Sequence, residues 1–150
     1  MRNATELLTQ YAHYHRDRRN IATHFVGIPM IVFAIGVLLA RATFSVGEYG
    51  FTAGWAAAIL ATLWWLSRGR LDLGIAVSAV TLGLVALAHE AAAMSFGEWL
   101  AWGVGTFVVG WVLQFIGHYV YEKRSPAFFR NLAHLLVGPL WILAKATGRA

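Results

Sequence analysis

Residues 21–40 read Ile21-ATHFVGIPMIVFAIGVLL-Ala40, twenty positions with a single ionisable side chain, His24. A helix needs about 20 apolar residues to cross the ~30 Å hydrocarbon core of a bilayer. A helix also satisfies its backbone polar groups within its own segment, whereas lipid offers them no partners. This stretch therefore predicts a membrane-spanning helix.

Three further apolar runs follow, and together the four runs indicate the fold class. Of the 150 residues, 59% are hydrophobic and 13% are charged, whereas about a quarter of a soluble domain is charged. We therefore predict an all-α polytopic membrane helical bundle with about four transmembrane spans, forming a single domain over residues 1–150. The runs after Ile21–Ala40 are Phe51–Leu66, which is short for a span, Leu71–Ala93 and Trp99–Val120.

The two ends of the chain mix polar and apolar residues, which predicts amphipathic rather than spanning helices, and the C-terminal one could lie at a membrane interface. Residues Thr5–Arg18 predict an amphipathic helix with Thr5 as its N-cap. Residues Pro126–Ala146 predict a second amphipathic helix. We expect Pro139 to break it, because proline removes a helical hydrogen bond, and the remainder to form a shallow or re-entrant apolar piece.

The basic residues indicate an orientation. With four spans, eleven of the twelve Lys and Arg residues fall on one side, and only Arg41 falls on the other. Because these residues concentrate in cytoplasmic segments, we expect both termini in the cytoplasm. We expect a bacterial inner membrane, or the endoplasmic reticulum in a eukaryote. The basic residues flank apolar runs, which predicts contact with a lipid bilayer and no nucleic-acid partner. The first twenty residues lack the apolar core of a cleavable signal peptide.

Six histidines are the strongest chemical signal in a sequence that has no cysteine. Without cysteine, thiolate catalysis and Cys-based zinc or iron–sulfur sites are excluded. The predicted topology leaves His89 near the far side of the membrane and brings the other five histidines to the cytoplasmic side. These five are His13, His15, His24, His118 and His134.

One polar stripe lies at the cytoplasmic end of the fourth run. Gln114, His118 and Glu122 follow one another at i, i+4 and therefore share a helix face. Imidazoles suit a first-row metal, and two histidines with one carboxylate form the pattern of non-haem Fe(II) oxygenases. Glu122 could be that carboxylate, a group that orients an imidazole, or a general base.

A second polar group lies where the first run begins. Asn20 and His24 are spaced i, i+4, whereas His15 and His24 are nine residues apart. Both imidazoles can bind one metal only if the chain bends between them. Three interpretations stay open at this point: a mononuclear metal site, a haem with two axial histidines, and a non-catalytic lipid-binding or scaffold protein whose histidines make structural hydrogen bonds.

Two stretches of the chain form extended motifs around these histidines. The first is Tyr14-His15-x4-Asn20-x3-His24, followed by Gly27-Ile28-Pro29. The second is Trp111-Val-Leu-Gln114-Phe-Ile-Gly117-His118-x3-Glu122-Lys123-Arg124-x-Pro126-Ala127, followed by Asn131-Leu132 and Pro139. Together they resemble the signatures of the fungal and bacterial 2-hydroxy fatty acid dioxygenase family, and the similarity extends over the whole chain in length, order and hydropathy.

The resemblance implies an Fe(II)-dependent dioxygenase of fatty acid α-oxidation. Such an enzyme converts a 2-hydroxy fatty acid and O2 to the fatty acid one carbon shorter, releasing the carboxyl carbon. The resemblance also implies that His15, His24 and His118 hold the iron. Either His134 or Glu122 would complete the ligand set.

Six polar residues near the implied iron site are further candidates. We expect three of them to bind or orient the substrate, with the basic pair facing its carboxylate, and three to serve catalysis. The substrate-binding candidates are Lys123, Arg124 and Asn131, and the catalytic candidates are Glu122, Asn20 and Gln114. The chain could also form a homo-oligomer.

Overall fold

The computed structural model describes residues 2–149, and within this range six helices and one β-hairpin form. The hairpin strands are β1 (Thr43–Val46) and β2 (Tyr49–Thr52). The fifth helix contains two π-helical stretches, Ala101–Gly105 and Ile116–Glu122. The helices are α1 (Ala4–Ala12), α2 (Arg18–Ala40), α3 (Ala53–Leu66), α4 (Leu71–Ala92), α5 (Phe96–Glu122) and α6 (His134–Ala146).

Among residues 2–149, three helices are long and apolar enough to cross a membrane. These are α2, α4 and α5, with 23, 22 and 27 residues. Helix α3 is also apolar but has 14 residues, fewer than the about 20 that a ~30 Å hydrocarbon core requires. The predicted all-α fold with apolar spans is confirmed, whereas the count of four spans stays a prediction.

A β-hairpin occupies the start of the second apolar run. Strands β1 and β2 pair antiparallel with Thr43 opposite Thr52, and Gly47 lies in the turn with φ 62°. A positive φ costs glycine little, which suits a tight hairpin turn. The prediction that the helix begins at Phe51 is therefore wrong. Phe51 lies in β2, and the Thr52 side chain caps α3, which begins at Ala53.

The N-terminal helix is shorter than predicted and begins at a different cap. Asn3, rather than Thr5, accepts the backbone N–H of Glu6, and the Glu6 carboxylate accepts the N–H of Asn3. These reciprocal bonds form a capping box. The predicted helix Thr5–Arg18 is wrong beyond Ala12, where α1 ends, because residue 17 caps the start of a second helix.

The C-terminal segment divides before α6 rather than within it. A 3-10 turn covers Ala127–Phe129, and α6 begins only at His134. Between them, the Asn131 side-chain oxygen accepts the Ala133 N–H at 3.0 Å. The predicted break at Pro139 is wrong, because Pro139 lies inside α6. Tertiary packing of a buried helix face, which supplies most helical stability in proteins, outweighs the hydrogen bond that proline removes.

The two terminal helices pack against each other and against the bundle. Their contact forms a buried hydrophobic cluster that includes Tyr11, Trp65 and Trp141. Their apolar faces therefore cover protein. Ala4 donates its N–H to the Arg68 carbonyl at 2.9 Å, so α1 and the α3–α4 turn lie at one end of the molecule with α6. The placement of that end in the cytoplasm stays a prediction.

Helices α2 and α5 cross closely, and this crossing positions the candidate site. A Cβ on Gly110 would lie 2.7 Å from Ile31 Cγ1 and 3.0 Å from the Gly27 carbonyl oxygen. Glycine allows so close an approach because it has no side chain. Nearer the end of α5, a Cβ on Gly117 would collide with the Asn20 side chain. The crossing therefore brings the start of α2 and the end of α5 together.

Candidate metal centre

Three imidazoles from distant parts of the chain meet where α2 and α5 approach. His15 lies in the connection between α1 and α2, His24 in α2, and His118 in the π-helical end of α5. Each residue is at most 4% exposed. The ring centroids of His15 and His24 lie 4.4 Å apart, and each lies 4.9 Å from that of His118. One nitrogen of each ring lies within 4.8 Å of the other two.

The hydrogen bonds of two of these rings fix the direction of their lone pairs. His15 Nδ1–H donates to the Tyr11 carbonyl at 2.8 Å, because a carbonyl oxygen can only accept. His24 Nδ1–H donates to the Asn20 carbonyl at 2.9 Å in the same way. In a neutral imidazole the other nitrogen then carries a lone pair. The two Nε2 atoms lie 3.0 Å apart, so two lone pairs face each other, and a shared cation would stabilise them.

The third imidazole adds a buried nitrogen without a partner. His118 Nδ1 has no hydrogen-bond partner among residues 2–149. A buried polar atom in this state costs about 1–3 kcal/mol, which favours a role toward a ligand. Burial, together with the neighbouring His24 ring, lowers the pKa of His15 to about 2. His15 is therefore neutral at physiological pH, and neutral imidazole is the form that binds a metal.

The chain bends between His15 and His24, as their spacing requires. Helix α1 ends at Ala12, and the next helix starts with Asp17 as its N-cap, where the carboxylate accepts the Arg19 N–H at 2.8 Å. An acidic N-cap also interacts favourably with the helix dipole. The bend turns the His15 ring toward α2.

One carboxylate from the other end of the chain holds this bend. Glu122, the last residue of α5, accepts the backbone N–H of Arg16 at 3.0 Å and that of Asp17 at 2.9 Å. Its Oε2 also accepts the side-chain amide of Asn20 at 3.0 Å. Glu122 therefore fixes the segment next to His15 and the first turns of α2 in one contact.

Aromatic rings cover the other side of the cluster. The Tyr11 ring stacks on His15 with centroids 4.1 Å apart, and the Trp141 ring lies 5.1 Å from the same imidazole. Helices α1 and α6 thus fix the His15 ring plane and shield it from water. The sequence reasoning missed both residues. For Tyr11, its i, i+4 spacing from His15 was the available signal, whereas Trp141 gave none.

An apolar cavity of about 260 Å³ opens from the imidazoles into the bundle. All three imidazoles line one end, and Leu39 and Gly54 line the other. His134 also lines it and is buried, with Nδ1–H donating to the Ala127 carbonyl at 3.2 Å. His134 Nε2 and the amide nitrogen of buried Gln114, another lining residue, have no partner in the described part of the chain. Both can bond a ligand in the cavity.

The predicted substrate-binding residues lie outside the lining of this cavity. Lys123 is exposed and directly follows the last residue of α5, with φ 54°. Arg124 is exposed, and its guanidinium donates to the His13 carbonyl at 3.5 Å. The Asn131 side-chain oxygen accepts the Ala133 N–H just before α6. His134 does not belong to the group of three imidazoles with mutually close nitrogens. The functional roles of all these residues stay predictions.

Comparison with known proteins identifies the family. The family model described as 2-hydroxy-palmitic acid dioxygenase Mpo1-like matches residues 1–65 and 72–150. The chain belongs to this family. A Saccharomyces cerevisiae protein, 2-hydroxy-palmitic acid dioxygenase MPO1, is 31% identical over 137 residues, which cover 89% of this chain and 73% of the relative. No solved structure matches the chain.

Membership of the Mpo1-like family confirms the resemblance inferred from the two motifs. The first matched region contains His15 and His24, and the second contains His118. The imidazole cluster is therefore built from both parts of the family match. Family membership and the dioxygenase relative support an oxygenase activity.

Proposed function

We propose that this protein is an Fe(II)-dependent dioxygenase that cleaves a 2-hydroxy fatty acid between C1 and C2 and leaves the fatty acid one carbon shorter. The observation that carries the proposal is the convergence of three buried imidazoles, two with facing nitrogens 3.0 Å apart. The family and its yeast relative suggest the substrate class. With one O2, the reaction balances when C1 leaves as CO2 and one water forms.

The donor set fits a mononuclear iron ion. Imidazole nitrogens suit first-row metals such as iron, and a site with few protein ligands leaves positions open. Bound Fe(II) would supply the O2 and one-electron chemistry that side chains lack. A haem between His15 and His24 fits less well, because the His118 ring lies beside this pair, where the macrocycle would extend.

We assign the three imidazoles as ligands and Glu122 as a positioning residue. The Glu122 oxygens already accept three N–H donors, so their lone pairs are committed to holding the bend next to His15. This supports orientation of an imidazole over the roles of metal ligand and general base. Asn20 takes part in the same contact. His134 stays the candidate for a further ligand, because its Nε2 is unpartnered and lines the cavity.

The free polar atoms of the cavity would orient the substrate. The Gln114 amide can donate to the substrate carboxylate. His134 Nδ1–H is committed to a carbonyl, so the neutral ring presents one lone pair at Nε2, which either binds the iron as a further ligand or accepts the C2 hydroxyl proton. Lys123 and Arg124 stay candidates for attracting an acidic headgroup to this end of the molecule. The surrounding apolar walls exclude water.

We further propose that the protein is integral to a membrane with both termini in the cytoplasm. The three long apolar helices are consistent with membrane association. Eleven of the twelve basic residues lie on the side of the termini if α3 also crosses the bilayer, which favours the cytoplasmic orientation. A homo-oligomer stays a prediction.

Turnover by the purified protein tests the proposed function. The protein is loaded anaerobically with Fe(II) and supplied with O2 and 2-hydroxypalmitate labelled with ¹³C at C1. We expect the fatty acid one carbon shorter, the label in CO2, and one O2 consumed per product. Protein loaded with redox-inactive Zn(II) is the matched control and should give no product. Absence of the shortened acid with the iron-loaded protein contradicts the proposal.

A further inference from the structure

We propose that the apolar cavity is a groove for the acyl chain of the substrate, entered sideways from the membrane between α2 and α3. This inference rests on the proposed function for the identity of the headgroup at the imidazoles. The lining continues from the imidazole cluster along α2 as far as Leu39, and along α3 from Trp65 to Gly54. The groove thus begins at the reacting end of a substrate and extends away from it into the bundle.

The length of the groove matches a long fatty acid. Leu39 follows His24 by fifteen residues on α2, about 22 Å along the helix, and Gly54 precedes Trp65 by eleven residues on α3, about 16 Å. An extended chain advances about 3.5 Å over three bonds, or about 1.2 Å per bond. The groove therefore holds about 13–18 bonds of extended chain. One leaflet of a bilayer core, about 15 Å, imposes a similar length on its own acyl chains.

The edge of the groove is open where a lipid would approach. Three lining residues at this edge are exposed: Ile35 from α2, Ala57 from α3 and Leu135 from the first turn of α6. Facing the groove, α3 presents small side chains that leave room for a chain. A fatty acid in the membrane could enter here while its carboxylate stays at the end that holds the imidazoles. These small residues are Gly54, Ala57, Ala58 and Ala61.

We expect the groove to discriminate between fatty acids by whether their chains fit, and not by how hydrophobic the chains are. A chain that moves from lipid to an apolar groove gains little hydrophobic free energy, because both surroundings are equally apolar. Discrimination then depends on whether the chain fits. A side chain added at a given depth should exclude acids that extend past it and spare shorter ones.

Two alanines of α3 allow this expectation to be tested at two depths. Ala61 lies four residues, about 6 Å or five bonds, from Trp65, and Ala57 lies eight residues, about 12 Å or ten bonds, from it. We expect Ala57→Leu to turn over 2-hydroxydecanoate like wild type and to lose at least about ten-fold in kcat/KM for 2-hydroxypalmitate. Ala61→Leu should lose activity toward both acids. Ala86→Leu adds the same group at an exposed position outside the groove and should match wild type.

Binding of both acids to the Zn(II)-loaded protein separates this inference from the proposed function. If binding shows the depth-dependent loss while the iron form has no turnover, the groove assignment stands and the proposed function fails. If wild type turns over both acids and the two leucine variants keep the profile of Ala86→Leu, the groove assignment is wrong. Retained use of 2-hydroxydecanoate shows that Ala57→Leu is folded. Valine at both positions provides a milder form of the same test.

Discussion

His15 and His89 make the same local hydrogen bond and differ in what their second ring nitrogen meets. Each ring donates Nδ1–H to the carbonyl four residues earlier, at 2.8 and 2.7 Å. His89 Nε2 then pairs with the Thr52 hydroxyl at 2.8 Å, whereas His15 Nε2 faces that of His24 at 3.0 Å. A hydroxyl can donate to a lone pair, but a second lone pair cannot. The His89–Thr52 contact therefore pairs a lone pair with a donor. The His15–His24 contact instead brings two lone pairs together, which a bound cation would stabilise.

The surroundings of the two sites differ in the same sense. His89 is partly buried and stacks on Trp55 with centroids 5.0 Å apart, close to the hairpin. The three imidazoles at the other end are buried and line a cavity. A buried histidine in such a bundle therefore indicates chemistry only when the fold gives its ring no ordinary hydrogen-bond partner and leaves access for a ligand.

The largest expected effect comes from removing an imidazole at each end. His24→Ala and His118→Ala should abolish measurable turnover, because each removes one of three proposed ligands. His89→Ala should leave turnover unchanged, since its ring has protein partners at both nitrogens. Assays of iron-loaded protein check this. Full activity of His118→Ala, or inactivity of a folded His89→Ala, contradicts the distinction.

The next effect concerns the group that holds each imidazole. Glu122→Ala frees the segment next to His15 and should weaken iron affinity by about 10–100-fold, as loss of outer-shell partners of metal ligands typically does. Glu122→Gln keeps one carbonyl oxygen for the N–H groups, so its iron affinity should lie between those of wild type and Glu122→Ala. Thr52→Val removes the partner of His89 and should leave iron affinity unchanged. Competition with a chelator measures these affinities. Lost turnover with unaltered affinity would instead favour a general base at 122.

A smaller effect should follow from widening the helix crossing beside His118. Gly117→Ala places a Cβ against Asn20 and Thr23 and should lower the free energy of unfolding by about 1–3 kcal/mol through overpacking. A Cβ on Gly83, in the helix that carries His89, meets nothing within 4 Å. Gly83→Ala should therefore raise the free energy of unfolding by about 0.5–1 kcal/mol, because alanine favours a helix. Unfolding in detergent measures both, and equal effects would contradict the contrast in packing.

The smallest effect should be structural and confined to the hairpin end. Thr52→Val should lower the free energy of unfolding by about 1–2 kcal/mol, because it removes both the bond to His89 and the cap of α3. His89→Ala should cost a similar amount plus the stacking on Trp55. The double variant should be less destabilised than the sum, because both changes remove one interaction. Additive effects would show that the pair does not interact.

Some local features of the fold and site could be predicted from the sequence, whereas two others could not. The apolar runs follow from composition and length, and the nine-residue separation of His15 and His24 requires the bend that is present. The prediction that Thr5 caps α1 is wrong, because Asn3 with Glu6 forms the capping box. The hairpin was missed because its four-residue strands are too short for a pattern and depend on each other.

Features that depend on distant residues could not be predicted. Pro139 stays helical because the neighbouring face of α6 packs in a core with α1, which lies at the opposite end of the sequence. Glu122 had three open roles, and what distinguishes them is its contact with backbone N–H groups at Arg16 and Asp17, more than 100 residues earlier. Trp141 covers His15 across a similar separation.

X-ray absorption at the iron edge tests the imidazole centre most directly. For wild-type protein loaded with Fe(II), we expect one iron per chain and imidazole nitrogen scattering at about 2.1 Å, the usual distance for histidine bound to a first-row metal. This scattering should weaken in His24→Ala and persist in His89→Ala. Iron that binds without imidazole scattering, or a spectrum that does not change in His24→Ala, would contradict a centre built from His15, His24 and His118.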